Sequence, residues 1–471
     1  MLAEAEQFYG QGRLADAETR FRDVLEEDPG NQRARESLVV VCLQSERPIE
    51  AREFLQGLIA DNPDEAIYCD RLNSVCEINL ERDIAVAAYR ALLQRRGDLS
   101  VSRYNLAHLL KRMGEVEAAE QEYKTCLDQG IENPAEVHTN LSVIYTEQGR
   151  DDEAEQALKT ALQLEEDYTP ALYNLALLRE EQGDWKEARS VLNRLLAADV
   201  NHVDALVRLA NGETFRDTTG PTVRKITRAL KREGLDAAGR EQLHYALGKI
   251  YDDCAKYDDA MVNYSRANEF SRERVAANGY QPLVQEVMVS DLCAHSADWM
   301  AAVEPVSDAA PIFVCGMFRS GSTLLEQVLA AHPQLQAGGE IEYFGRQLGA
   351  MDAAYPALLG GLDDQTAQRL GEGYIALLES RGLRVDASTN KRPDNFLYLG
   401  LIKALFPNVR ILHTARNPLD TCLSIFFQPL ADELSYANDI KHVGHYYLQY
   451  RRLMNFWTEQ YPDSILHIPY E

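Results

Sequence analysis

Small apolar residues recur along the first 270 positions with a fixed period. Ala17, Ala51, Ala85, Ala119, Ala154 and Ala188 follow one another at 34, 34, 34, 35 and 34 residues. Four residues after each stands a large side chain: Phe21, Leu55, Tyr89, Tyr123, Leu158 and Leu192. That spacing puts both members on one face of a helix. Five residues before the alanine, Gly12, Gly114, Gly149 and Gly183 interrupt the pattern. Glycine there ends a first helix with a positive-φ turn. The alanine then lets a second helix approach closely, and the large residue fills the space between neighbouring pairs. Residues 243–270 (Leu243, Tyr251, Ala260, Tyr264) read as a further copy, whereas 201–240, with Thr218-Thr219-Gly220-Pro221, departs from the period. After residue 270 the period fades through a helical linker, 271–310. At Pro311 the texture changes: Ile312-Phe313-Val314-Cys315 is a short apolar run suited to a buried parallel strand. A helical pattern follows over 324–331. A second strand pattern ends at Arg416, and Pro418 opens the next helix, where proline is tolerated in the first turn.

The 34-residue period resembles the tetratricopeptide repeat, in six consecutive registers. The expected module over 1–270 is a solenoid of helix pairs with a concave groove, degenerate around 201–240. Asn105, Asn140 and Asn174 recur within Tyr104-Asn105-Leu106-Ala107, Thr139-Asn140-Leu141-Ser142 and Tyr173-Asn174-Leu175-Ala176. They fall on one face of successive first helices. An amide donates and accepts whatever the ligand sequence, so such a ladder suits a peptide backbone in the groove. Hydrogen bonding between helices of the array is the competing role.

Composition narrows the classes. A chain of 471 residues with 45% hydrophobic and 26% charged residues is an ordinary globular mix with room for several domains. No apolar run approaches the ~20 residues of a membrane span. The first twelve residues are acidic and alanine-rich, unlike a signal peptide. Eight scattered cysteines without a C-x-x-C pattern fit free thiols in a reducing compartment, hence the cytoplasm, rather than disulfides or zinc. Net charge is −26, which disfavours nucleic acid. The charge is uneven: residues 311–471 hold 13 basic and 17 acidic residues, leaving 35 against 57 for 1–310. Two modules with different partners are implied. The acidic one could attract basic peptides, although a solvated surface needs no such partner.

The chemistry concentrates after Cys315. Gly316-Met317-Phe318-Arg319-Ser320-Gly321-Ser322-Thr323 joins a strand to a helix, which turns backbone N–H groups and the helix dipole toward an anion. The spacing is that of a Walker A loop with Ser322 in place of its lysine. That replacement argues against nucleoside triphosphate hydrolysis and against a P-loop kinase, and an arginine with two hydroxyls suits a single phosphate. No H-E-x-x-H or carboxylate cluster marks a metal site.

Together with His332-Pro333 and Gly339-Glu340, the segment from Pro311 resembles sulfotransferases that use 3′-phosphoadenosine-5′-phosphosulfate (PAPS). The tyrosylprotein sulfotransferase family, and bacterial proteins joining tetratricopeptide repeats to such a domain, are most similar. Two further elements match in order: Arg410-Ile411-Leu412-His413-Thr414-Ala415-Arg416-Asn417-Pro418 followed by Ser424, and Asn390-Lys391-Arg392-Pro393. The resemblance covers 311–471. It implies an α + α/β multidomain chain, in which the α-solenoid precedes a P-loop-like α/β sulfotransferase domain with a parallel sheet. It further implies that Arg319, Ser320, Gly321, Ser322 and Thr323 bind the 5′-phosphosulfate, and that Arg416 and Ser424 bind the 3′-phosphate. Lys391 would be the active-site lysine and Glu340 the general base, with Glu342 as its neighbour and competitor. Sulfuryl transfer is an in-line displacement, so cations at the leaving and equatorial oxygens (Arg319 and Lys391 are candidates) meet its main need, without a metal. The implied activity is transfer from PAPS to a hydroxyl, foremost a protein or peptide tyrosine presented by the repeats. A carbohydrate or small-molecule hydroxyl, or a non-catalytic scaffold with a nucleotide-binding remnant, are the alternatives. His332 and His413 read as structural, and Cys315 and Cys422 lack an adjacent base. The family continues beyond a strand ending in Tyr-Glu, here Tyr470-Glu471, so the resemblance implies a domain truncated at its C-terminus.

Overall fold

The computed structural model describes residues 1–275, 279–301, 303–351 and 354–470. Residues 276–278 and 302 of the expected linker, and Glu471, lie outside the described residues. The chain divides between Ala205 and Leu206 into two compact units.

In the first unit, helices alternate in antiparallel pairs: α1 (Leu2–Gly10) and α2 (Leu14–Glu27), α3 (Gln32–Gln44) and α4 (Pro48–Asp61), α5 (Ala66–Asn79) and α6 (Arg82–Arg95). The series continues with α7 (Ser100–Arg112) and α8 (Val116–Asp128), α9 (Pro134–Glu147) and α10 (Asp151–Leu164), α11 (Thr169–Glu181) and α12 (Trp185–Ala198). The periodic alanines are all wholly buried, and the large residues four positions on are exposed by no more than 1%. Gly12, Gly114, Gly149 and Gly183 have φ between 69° and 81°. An added Cβ would meet nothing within 4 Å at any of them. The left-handed backbone, not crowding, is therefore what favours glycine there. At the same register Glu46 and Leu80 adopt φ of 57° and 56°.

Helix α13 (Val203–Asn211) spans the division. In the second unit α14 (Pro221–Leu230), α15 (Ala237–Asp253), α16 (Tyr257–Arg274) and α17 (Pro282–Met300) precede the sheet. The repeat-like pair α15 and α16 belongs with this unit. The Asn268 amide donates to the Phe426 carbonyl at 2.9 Å, and the Tyr264 and Phe427 rings stack at 4.1 Å.

The sheet alternates strands with helices: β1 (Ile312–Gly316), α18 (Ser322–Ala330), β2 (Gln336–Ala337), α19 (Phe344–Gly349), α20 (Asp364–Ser380), β3 (Ser388–Lys391) and α21 (Leu399–Leu405). It closes with β4 (Arg410–Arg416), α22 (Pro418–Phe426), α23 (Ile440–Gln460) and β5 (Ile465–Tyr470). All pairings are parallel, in the order β2-β3-β1-β4-β5. β1 and β3 are buried along their whole length: β1 is apolar, whereas β3 carries Ser388, Thr389, Asn390 and the charged Lys391, which is paired with Glu340. Phe313, Tyr374, Phe396, Phe406 and Trp457 anchor the core, and the Trp457 indole donates to the Phe396 carbonyl at 2.9 Å. The chain runs from β1 outward to β2 and back through β3, then crosses to β4 on the other side. The reversal leaves a crevice at the C-terminal ends of β3, β1 and β4, where open α/β sheets bind ligands.

Candidate active site

β1 delivers the loop into this crevice. A Cβ on Gly316 would stand 2.5 Å from the Thr414 carbonyl oxygen and 2.8 Å from Ser320 Oγ, so the strand end passes β4 without room for a side chain. Ser320 is 1% exposed. Its hydroxyl donates to the Met317 carbonyl at 2.6 Å and lies 2.7 Å from Thr414 Oγ1. It therefore braces the loop instead of facing outward. Arg319 and Gly321 have φ of 68° and 94°. Left-handed residues running into the start of α18 form a concave array of N–H groups, the geometry that cradles anions. At Gly321 a Cβ would lie 2.3 Å from the Tyr470 ring. Ser322 is buried at the helix start and Thr323 is exposed.

On the β4 side, Asn417 caps α22 by accepting from Leu419 N at 2.9 Å, with Pro418 in the first turn. Ser424 lies on the next turn but one and accepts from Arg319 Nε at 3.1 Å. Arg416, at the end of β4, donates to the Arg319 carbonyl at 3.5 Å, and its guanidinium sits 5.5 Å above the Tyr470 ring centre. Arg319, Arg416 and Ser424 thus form one cationic, hydroxyl-bearing cluster. The Arg319 side chain points to that cluster and not to Lys391.

On the β3 side, Lys391 pairs in register with Val314 of β1, so its side chain emerges near the loop. Its ammonium donates to Glu340 Oε1 at 2.6 Å, with the lysine side chain 7% and the glutamate 52% exposed. Two residues on, Glu342 is 3.2 Å from Arg392, which also donates to Asp394 at 2.6 Å. Burial raises the Asp394 pKa above the usual carboxylate range, against the Arg392 bond that lowers it. Asn390 and Asn395 are buried and join β3 to β1: the Asn395 amide donates to the carbonyls of Asn390 and Val314.

The histidines and cysteines near the site belong to the frame. His413 contacts His467 at 2.7 Å and the Tyr450 hydroxyl, and burial pushes its pKa down to about 3. His332 caps its own turn by accepting from Gln334 N. Burial raises the Cys315 thiol above its ordinary value. Among the described residues no group of three or more His, Cys, Asp or Glu could hold a metal ion. The donor set is instead that of an anion site: backbone N–H groups, two guanidiniums, an ammonium and hydroxyls.

Three participants escaped the sequence reading. Tyr470 reaches the loop because Arg416 and Tyr470 are paired across β4 and β5. Thr414 ties Ser320. Glu326 is a buried carboxylate in the middle of α18. Of these, Glu326 alone left a signal in the sequence, as the one charge in the helix Ser322–Ala330. In the repeats, the asparagines are half-buried. The Asn105 amide donates to Asp70 at 2.9 Å, and that of Asn140 donates to the Tyr104 hydroxyl at 3.1 Å. Both reach the preceding repeat, the geometry of internal struts.

Comparison with known proteins matches the repeats and the sheet-bearing segment to separate families. Residues 311–471 match the model of the Sulfotransferase family, and tetratricopeptide-repeat models match 8–71, 104–168 and 145–210. Residues 311–471 are thus similar to the Sulfotransferase family, and segments before them to tetratricopeptide repeats. It is 23% identical over 479 residues to an uncharacterized protein of Aquifex aeolicus, covering 98% of this chain and 59% of that protein. It is 24% identical over 200 residues to the human protein O-mannosyl-transferase TMTC3, covering 42% of this chain and 22% of that protein. The chain therefore spans about three fifths and one fifth of these relatives. Among solved structures, a tetratricopeptide repeat protein from Parabacteroides merdae aligns at 17% identity, with 53% of this chain, 93% of that one and a TM-score of 0.37. PilF of Pseudomonas aeruginosa aligns at 15% identity, with 49% and 96% covered and a TM-score of 0.34.

Proposed function

We propose that the domain over 311–471 transfers the sulfuryl group of PAPS to a hydroxyl, with a tyrosine of a protein or peptide as acceptor and the repeats supplying affinity for it. The observation that carries this reading is the 2.6 Å contact between Lys391 and Glu340 at the end of β3, one strand away from an anion-cradling loop. The loop N–H groups at the start of α18, with Ser322 and Thr323, hold the 5′-phosphate. Arg416 and Ser424 take the 3′-phosphate, and Arg319 lies between the two. A Lys ammonium has three donors. Lys391 can keep Glu340 in place with one and meet the leaving oxygen with another, where negative charge develops. Glu340 accepts the proton of the attacking hydroxyl. Eight free thiols support a reducing compartment, the cytoplasm.

The test is to incubate the full-length protein with radiolabelled PAPS and tyrosine peptides, sugars and small phenols, and to detect products by intact mass. Glu340→Gln keeps the shape and the bond from Lys391 but accepts no proton. Turnover should fall by ~10²–10⁴-fold while affinity for adenosine 3′,5′-bisphosphate is unchanged. Wild-type turnover in that variant removes Glu340 from the role, and absence of transfer to every acceptor class overturns the reading.

A further inference from the structure

We propose that Glu326 is a positioning residue: from inside the domain it fixes segment 338–340, and with it the Glu340 carboxylate, relative to Lys391 and the anion loop. This rests on the sulfuryl-transfer reading above and adds to it a group that touches neither substrate.

Glu326 lies on α18 and is only 3% exposed. A buried carboxylate is costly unless hydrogen-bonded, so its partners are informative. Its Oε1 accepts from Gly339 N at 3.0 Å and from Thr389 Oγ1 at 2.6 Å. Both donors are neutral and both belong to the segments that carry the proposed chemistry. Gly339 precedes Glu340, and Thr389 is on β3 two residues before Lys391. Gly339 is bound from its other side as well, since its carbonyl accepts from Lys391 N at 2.9 Å. The segment has little freedom elsewhere: a Cβ on Gly338 would stand 2.1 Å from the Thr389 carbonyl oxygen, and Gly339 has φ of 69°. With both polar groups of Gly339 occupied, Glu340 retains mainly its own torsions to reach Lys391.

The helix makes this more than a local tether. Glu326 is one turn beyond Ser322, where the anion loop ends and α18 begins. One rigid turn therefore sets the position of the loop on one side and of Gly339 on the other. Proton acceptance and anion binding share a frame, which matters because a misplacement of 1 Å can cost ~10²-fold in rate.

Two substitutions separate this role from simple packing. Glu326→Gln keeps an oxygen that can accept both bonds, whereas Glu326→Leu fills similar space and accepts neither. With full-length protein, amide exchange of Gly339 should accelerate at least ~10-fold in E326L and stay at the wild-type rate in E326Q, because exchange follows local opening. In E326L kcat should fall ~10–100-fold, with affinity for adenosine 3′,5′-bisphosphate within about threefold of wild type, and E326Q should restore the rate. Since Glu326 acts through Glu340, adding E326L to E340Q should slow the enzyme no further, a non-additivity that a packing defect lacks. Should E326L fail to fold, Thr389→Val removes one of the two donors and predicts a smaller loss with the same non-additivity. Unchanged Gly339 exchange in E326L, or an equal loss with and without E340Q, overturns the proposal. A wild-type protein that transfers no sulfuryl group overturns the sulfotransferase reading instead, and the exchange contrast between E326Q and E326L still decides whether the tether exists.

Discussion

A left-handed backbone costs an L-residue about 1–2 kcal/mol, and the repeat turns show where this chain accepts that cost. Leu80 occupies the turn register with φ of 56° and is 76% exposed, so its side chain contributes little packing. Leu80→Gly removes the strain and loses some of the gain to unfolded-state entropy. It should stabilise the repeats by about 0.5–1 kcal/mol, read from the midpoint of urea unfolding. Gly114→Ala should do the opposite by a similar amount. The turn at Gly12, Gly114, Gly149 and Gly183 was legible in the sequence. At Glu46 and Leu80 the residue type conceals it, and only the register of the alanines marks it. In the sheet domain, the proposed 3′-phosphate site gives Arg416, which donates to the Arg319 carbonyl, a role that one substitution tests. Arg416→Ala should weaken adenosine 3′,5′-bisphosphate by well over tenfold and adenosine 5′-monophosphate far less, because only the former carries a 3′-phosphate. Calorimetry showing equal weakening of both assigns Arg416 to another role.

At the scale of elements, successive helix pairs are stitched by charge at a repeated register. The residue after the periodic alanine meets the residue four before the next one: Glu18 with Arg47 at 2.6 Å and Glu120 with Arg150 at 2.8 Å. Arg150 holds the Glu120 carboxyl below its usual range. Between α4 and the start of α6 the same positions carry the reversed pair, Arg52 with Glu81. A pair that depends on opposition alone tolerates exchange. Arg52→Glu should place two carboxylates together and destabilise the array by about 1 kcal/mol. The swap R52E/E81R should recover the loss, and a double-mutant cycle in urea measures it. If the swap is as unstable as the single variant, the local surroundings and not the charge pairing set the energy. In the second unit, α22 owes its position to α16 as well as to β4, through Asn268 and Tyr264. The element bearing Ser424 is thus supported from two sides.

For the molecule as a whole, charge is the property that separates the parts: 57 acidic against 35 basic residues before residue 311, and 17 against 13 after it. If the acidic repeats recruit the acceptor, KM for a basic tyrosine peptide should rise with added salt, since exposed charges are screened beyond ~8–10 Å at physiological ionic strength. KM for a small neutral phenol should stay flat. Steady-state kinetics with both acceptors provide the check, and parallel salt curves would exclude recruitment by charge.

Much of this protein was determined by sequence alone, wherever the information is local or periodic. The 34-residue spacing specifies which helical faces are buried, and Ala17 through Ala188 are wholly buried as that spacing requires. The run from Ile312 into Gly316 and on to Ser322 specifies strand, turn and helix, because each step follows from backbone conformation and burial over a few residues. The site itself was decided by tertiary structure. Lys391 and Glu340 are 51 residues apart, Glu326 and Thr389 63, and Arg319 and Ser424 105. No local rule relates such positions. They meet because strand order β2-β3-β1-β4-β5 sets β3 and β4 on either side of β1, and parallel register then brings the strand ends to one edge. Ser320 shows the same limit from the other direction: its residue type fits a phosphate ligand, but the proximity of β4 turns its hydroxyl to Thr414.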